Sequence, residues 1–474
     1  MNATEFQNLI FKEFPFVPTE DQSDLIRGIS KFIFSDDKDE VLLLKGYAGT
    51  GKTTVLSTVV NQLWKAKKKS ALLAPTGRAA KVISSYSNRK AFTIHRRIYK
   101  PKPTGDIGLQ FIRQKNTSVD TVFIVDEASM IPDVQTEGKL FSGGSLLDDF
   151  MEFIEEGRRC KLILIGDEAQ LPPVHLDISP ALDSDNLSLR YNKKVIQFQL
   201  KEVLRQEADS GILKNATILR DYQKESFFED FKFDLSNQVE VVRLIDGYDI
   251  ESAISDSYSN AGIEETTIIV RSNKRANLYN QQIRNRIRML EGEVNTGDIL
   301  MVVKNNYFWL EPSSAPGFIA NGDTVEVLRI FSIKELYGFR FAEVEVQLVD
   351  YPDEKSFETV IMLDTLYVEG PSLPYEDSDK LYKEVNKDYE DVKSKYQRYK
   401  KVKENPYFNA LQVKFAYAVT CHKSQGGQWS NVFIEQAWLP NGIDLDYLRW
   451  LYTAVTRAKE KLYLIGFKDD YFEE

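Results

Sequence analysis

Cysteine and histidine are scarce: the 474 residues include only Cys160 and Cys421, and only His95, His175 and His422. Two thiols so far apart fit reduced, non-structural residues better than a disulfide framework, and the histidines lack metal-ligand spacing. Apolar runs are short, far below the roughly 20 residues that carry a helix across a bilayer. The opening MNATEFQNLIFKEF has acidic residues where a secretory leader would be basic and then apolar. A cytoplasmic protein without a membrane span is the expectation. Positive charge is also in deficit. A net charge of −10 counts against a protein that coats nucleic acid through a broad basic surface. Any such contact must be local, and KAKKK (65–69), HRRIYKPK (95–102) and RNRIR (284–288) are the basic clusters. Each alone reads more readily as a solvated helix face or loop. Repeats and low-complexity tracts are absent.

The length implies two large domains or more. In EVLLLKGYAGTGKTTVLSTVV a short apolar run meets a glycine-rich turn and then a helical period. Gly46, Gly49 and Gly51 let backbone N–H groups curl around phosphate oxygens at the positive end of a helix dipole. Lys52 reaches the outer phosphates, Thr53 offers a hydroxyl to Mg²⁺, and Thr54 completes the loop. TVFIVDEASM is an apolar strand ending in two acids. Asp126 suits the Mg²⁺ shell, and Glu127 suits the orientation and deprotonation of a water. In LILIGDEAQLPPV a buried strand opens into a polar loop that places Gln170 to sense the γ-phosphate. PTEDQSDLI contains a capping box, Thr19 with Gln22. Gln22 also has one donor and one acceptor, which suits the adenine edge.

Phosphate loops and acidic pairs serve kinases, switches and motors alike, so other segments must decide. ALLAPTGRAAKVI (71–83), AFTIHRRI (91–98), QLKEVLRQ (199–206), VTCHKSQGG (419–427) and LYTAVTRAKEKLYLIG (451–466) follow the order of superfamily-one helicases. With GDILMVVKNNYF (297–308) and IANGDTVEVL (319–328), the chain resembles the RecD and Dda branch from about residue 15 to 467. The resemblance implies an ATP- and Mg²⁺-dependent DNA helicase moving 5′ to 3′, with Arg205 and Arg457 reaching the γ-phosphate from the second domain. Its implied partners are single-stranded DNA, duplex with a 5′ tail, and replication or repair proteins; a monomer is expected. Pro75, Thr76, Arg78, Thr93, His95, Thr420, His422 and Ser424 would hold the phosphodiester backbone without reading bases. Taken singly, each reads more readily as a local helix cap, and His422 as a structural histidine. Where relatives often carry an acid two places after HKSQG, this chain has Gln428.

The expected fold is α/β: two RecA-like domains, the first spanning residues 1–192 with a pin-like insertion at 99–118. The second spans 193–330 and 411–474. Residues 331–410 would hold an SH3-like barrel and a charged helical arm, whose Tyr382, Val385, Tyr389, Val392, Tyr396 and Tyr399 form one helical stripe. Two other functions fit part of this pattern. A translocase that displaces proteins without opening duplex would not need the pin, and a P-loop switch would not need two arginines from a second domain.

Overall fold

The computed structural model describes residues 1–472 except 105–107, 135–143, 204–209, 226–227, 229–230, 238, 312–313, 315, 371 and 441, and except the side chains of 101–110. Two helices come first, Ala3–Glu13 and Glu20–Phe34, each begun by a capping box, Asn2 with Glu5 and Thr19 with Gln22. Their apolar faces, including Phe6, Ile10, Leu25 and Ile29, pack with Leu42, Leu44, Val55 and Val59. The strands that follow are β1 (Glu40–Gly46), β2 (Lys69–Ala74), β3 (Ala91–Thr93), β4 (Tyr99–Thr104), β5 (Gly108–Arg113), β6 (Thr121–Val125), β7 (Lys161–Gly166) and β8 (Lys194–Leu200). All but β4 and β5 form one parallel sheet in the order β3-β2-β6-β7-β1-β8. A parallel sheet covered on both faces demands continuous apolar strands, and β6 and β7 are buried at every residue.

Two expectations need correction here. Because β8 pairs along the whole of β1, from Glu40 opposite Lys194 to Gly46 opposite Leu200, the first unit runs to Leu200 and not to 192. The half-polar pattern of KVIQFQL is that of an edge strand, which disguises its membership. β4 and β5 do form the expected hairpin, with Tyr99 opposite Arg113 and Thr104 opposite Gly108. Gly105, Asp106 and Ile107 at its turn lie outside the described residues. Phe111, inside the insertion expected to be a pin, is not free for that use: it is only 3% exposed and belongs to the core with Ile94, Ile98 and Phe123. It also meets Tyr307, ring to ring at 4.3 Å.

The second unit contributes β9 (Val241–Leu244) and β10 (Thr266–Val270), then a closed barrel of β11 (Ile299–Val302), β12 (Thr324–Leu336), β13 (Phe339–Leu348), β14 (Phe357–Met362) and β15 (Leu411–Phe415). It resumes with β16 (Ala418–Thr420), β17 (Trp429–Glu435) and β18 (Ala458–Ile465), giving a parallel sheet in the order β16-β10-β17-β18-β9. The barrel therefore begins at Ile299, not at 331: GDILMVV and NGDTVEVL, expected in the second sheet, supply β11 and β12. Barrel and sheet share one core, where Val302, Val325 and Val344 join Ile268 and Val270.

The arm is also different from expectation. In place of one helical stripe there are two helices, Tyr375–Lys387 and Lys395–Glu404. Ser394 caps the second one by accepting from Gln397 N, and Arg398 donates to the Glu390 and Val392 carbonyls, which closes the bend. Val385 and Val402 are buried against Phe341 and Met362 of the barrel, while Tyr396 remains 51% exposed. The second arm helix runs beside β5, with Cα atoms within 8 Å, so the arm does lie against the hairpin.

Candidate active site

The phosphate loop connects β1 to the helix Lys52–Gln62. Gly49 and Gly51 take φ of 73° and 78°, a left-handed backbone that favours glycine. At Gly46 a Cβ would come within 2.9 Å of the Lys52 stem. Lys52 Nζ donates across the loop to the carbonyls of Gly46 (2.6 Å) and Tyr47 (2.8 Å). Thr50 Oγ1 braces the turn through Tyr47 O at 2.8 Å. Thr53 is exposed and Thr54 partly buried in the first helical turn. Gln22 is 2% exposed; its Oε1 accepts from Thr19 N at 3.1 Å and its Nε2 donates to Thr50 O at 3.1 Å. The capping box and the loop thus both use this one amide.

β6 delivers the acidic pair. Asp126 accepts from Tyr86 Oη at 3.0 Å and from Glu127 N at 2.9 Å. Glu127 sits at φ 53°, and burial pushes its carboxyl above the usual range, opposed by the Arg457 guanidinium. Gln170 is 6% exposed, and its Oε1 has no partner among the described residues. A cavity of about 300 Å³ opens beside it, between the Lys45–Glu168 pair and Arg449.

Arg457 arrives from the second unit. It is 3% exposed, held by Thr453 O (3.0 Å) and Gly427 O (3.2 Å), and stands 4.0 Å from Glu127 Oε1. Arg205 lies outside the described residues. The sequence reading missed several groups on this seam. Tyr452 Oη donates to Asp167 Oδ2 at 2.6 Å and accepts from Ala48 N at 3.1 Å. Gln425 Nε2 donates to Leu171 O at 2.8 Å, and Leu171 N donates to Thr453 Oγ1 at 2.9 Å. Arg220 lies over the Tyr47 ring at 4.4 Å. Only the placement of Tyr452 in YTAVTRA and of Gln425 in HKSQGG hinted at a role.

The groups present suit a magnesium nucleotide: a glycine cradle that a Cβ would obstruct, loop N–H groups at a helix start, a lysine, an exposed Thr53 hydroxyl and the Asp126 carboxylate. Mg²⁺ is satisfied by one or two carboxylates plus substrate phosphates. Thr53 and Asp126 would hold it, and it would supply charge neutralisation at the phosphates.

The expected nucleic-acid contacts are only partly assembled. Pro75, Thr76 and Arg78 are partly exposed at the start of the helix Gly77–Ser87, where Thr76 accepts from Ala79 N. Arg78 stacks on Trp429 of the second unit at 4.3 Å. A Cβ on Gly426 would meet Ala79 Cβ at 2.7 Å and Thr76 Oγ1 at 3.1 Å, and one on Gly427 would meet Arg78 Cδ at 2.8 Å. The two glycines of HKSQGG are what let the units approach so closely. Thr420 is partly exposed and His422 exposed. His95 is partly buried, and desolvation pulls its imidazole down to about 4, so it is neutral near pH 7. Thr93, 8% exposed, caps its own helix through Arg96 N. Ser424 is corrected: it is fully buried and donates to Cys421 O at 2.8 Å, because a hydroxyl inside a one-turn helix finds the nearest carbonyl.

An AAA domain model matches residues 19–233 and a UvrD-like helicase C-terminal domain model matches 415–465. An uncharacterized protein of Methanocaldococcus jannaschii is 28% identical over 90% of this chain and 37% of its own length. The ATP-dependent RecD2 DNA helicase of Deinococcus radiodurans is 29% identical over 37% of this chain and 21% of its own. For the ATP-dependent DNA helicase Dda of Enterobacteria phage T4 the values are 31%, 40% and 40%. The chain thus spans less than half the length of each of these relatives. A solved Pif1 helicase shares the fold at 16% identity, with a TM-score of 0.50 over 97% of this chain and 95% of that one. In its ordered motifs and in its two parallel sheets, the chain resembles the superfamily-one helicases of the RecD and Dda branch.

Proposed function

We propose that this protein is an ATP-dependent DNA helicase that moves 5′ to 3′ on single-stranded DNA and opens duplex from a 5′ tail. The observation that carries this reading is Arg457, which crosses from the second unit to within 4.0 Å of Glu127 in the first. A switch governed by a partner has no use for an arginine built into its own second domain. In this reading Lys52 and the loop amides bind the phosphates, Glu127 orients the attacking water and takes its proton, and Gln170 senses the γ-phosphate. Arg205 and Arg457 stabilise the charge that develops in the transition state. For adenine to be read by Gln22, its Nε2 exchanges the Thr50 bond for the base.

Closing the cleft brings the two arginines to the nucleotide, and hydrolysis releases them. Thr76, Arg78 and His95 on one side and Thr420 and His422 on the other then grip the strand in alternation. The hairpin within 99–118, with the arm beside it, would serve as the strand-separating pin. The protein works as a monomer in the cytoplasm alongside replication or repair proteins. ATP hydrolysis measured with single-stranded DNA, with single-stranded RNA and with neither tests the reading. Stimulation by DNA is expected; stimulation by RNA alone would change the track, and stimulation by neither would remove the motor.

A further inference from the structure

The helix Leu445–Val455 touches the first unit along one stripe. Arg449 Nη1 donates to Asp177 O at 2.7 Å, Tyr452 bonds Asp167 and Ala48, Thr453 Oγ1 accepts from Leu171 N, and Arg457 just beyond the helix faces Glu127. Spacings of three, four and eight place these residues on one helical face. Among them Tyr452 alone touches the phosphate loop directly. Its side chain is 1% exposed, and burial raises its phenol well above the ordinary value, so the hydroxyl keeps its proton. A hydroxyl has one hydrogen to give and lone pairs to accept with. Here the hydrogen goes to Asp167 and a lone pair takes the Ala48 N–H. Asp167, itself 1% exposed, uses its other oxygen to accept from Ala169 N at 3.0 Å, which holds the turn that presents Gln170.

We infer that the Tyr452 hydroxyl is a positioning group that locks the Asp167–Gln170 turn and the phosphate loop into their hydrolytic arrangement when the second unit closes. This inference rests on the motor reading above. Both bonds join the two units, so neither forms in an open cleft. Ala48 and Asp167 stand on neighbouring strands' loops, after β1 and β7, and among the described residues the Tyr452 hydroxyl is the group of the second unit that hydrogen-bonds both. The hydroxyl touches loop and turn and no phosphate is required for its bonds, so its loss affects the rate more than ATP affinity.

Tyr452→Phe keeps the buried ring and removes only the oxygen. The expected result is a kcat at least about tenfold lower, with KM for ATP within about threefold, and with unchanged single-strand binding by fluorescence anisotropy without nucleotide. Asp167→Ala should lower kcat similarly, and adding Tyr452→Phe to it should cost less than the same substitution does in the wild type, because only the Ala48 bond then remains to be lost. Wild-type kinetics in Tyr452→Phe, a raised KM at unchanged kcat, or full additivity of the two substitutions would each overturn the inference. The same comparison is made on the basal rate without DNA. A wild-type chain whose ATPase ignores DNA would contradict the motor reading, while its basal rate would still decide the role of the hydroxyl.

Discussion

On the proposed function Lys52 and Arg457 serve the nucleotide from opposite units, and their substitution should separate binding from chemistry. Lys52→Ala should abolish hydrolysis while single-strand binding persists, because it removes charge at the phosphates and none at the strand. Near-normal turnover would end the phosphate-loop assignment. Arg457→Ala should lower kcat by about 10² or more with a much smaller change in ATP affinity. Arginine fingers act on transition-state charge and supply about 10³ to 10⁵ in rate, or roughly 4 to 7 kcal/mol. A rate change confined to KM would contradict this. Asp323 bears on stability. It is 3% exposed, one oxygen accepts from Ala320 N at 2.8 Å, and the other has no partner among the described residues. Burial and the nearby Asp350 raise its carboxyl from an ordinary 3.8 to about 7, while Arg78 opposes them. The folded state therefore holds this proton more tightly than the unfolded chain. Its contribution is full below about pH 4, falls as pH rises toward 7 and is flat above. Asp323→Asn should raise Tm relative to wild type at pH 8, with the gain shrinking toward pH 4; a gain equal at both would refute the assignment. At this scale the phosphate-loop residues were legible because residue type and spacing dictate their backbone. Tyr452 and Asp167 were not, since a hydroxyl's partner is set by how two units dock. Ser424 misled for the opposite reason: its motif is informative, but its own oxygen is used locally.

Among the elements, the hairpin β4–β5 is the one whose removal should distinguish stepping from strand separation. Opening a base-pair step costs about 1.4 kcal/mol on average, and a rigid finger at the fork would prevent re-pairing behind each step. Replacing residues 103–112 with a short Gly-Ser linker should leave DNA-stimulated ATPase intact and reduce unwinding at least tenfold. Equal loss of both would make the segment structural, an outcome to which the buried Phe111 would contribute. The informative companion is therefore a linker over 103–110 that retains Phe111 and its contact with Tyr307. The hairpin could be read from two prolines, a turn and alternating apolar residues. The barrel's first strands could not, because β11 and β12 are separated by residues 303–323 and their alternation equally suits an edge of the second sheet. The bend in the arm was hidden for a related reason. The spacing of Tyr382 to Tyr399 continues in register across residues 388–394, and only the Ser394 cap and the Arg398 bonds reveal the break.

At the scale of the whole molecule, the fold sets strand ends of the two parallel sheets against each other and a barrel and arm beside the hairpin. The order of motifs carried this architecture, since those at 46–54, 75–78, 126–127, 167–170 and 420–427 follow strands of one parallel sheet or the other. The seam itself depends on Gly426 and Gly427, where any side chain would meet Thr76, Ala79 or Arg78. Such contacts are long-range and leave no local pattern. On the proposed function, closure of this seam, driven by ATP, moves the protein along one strand toward its 3′ end. The direct measurement is unwinding of partial duplexes that differ only in having a 5′ or a 3′ single-stranded tail, each with ATP and with the Lys52→Ala variant as control. The account predicts strand release from the 5′-tailed substrate alone, dependent on ATP and absent in the variant. Preference for the 3′ tail, or release without ATP, would contradict it.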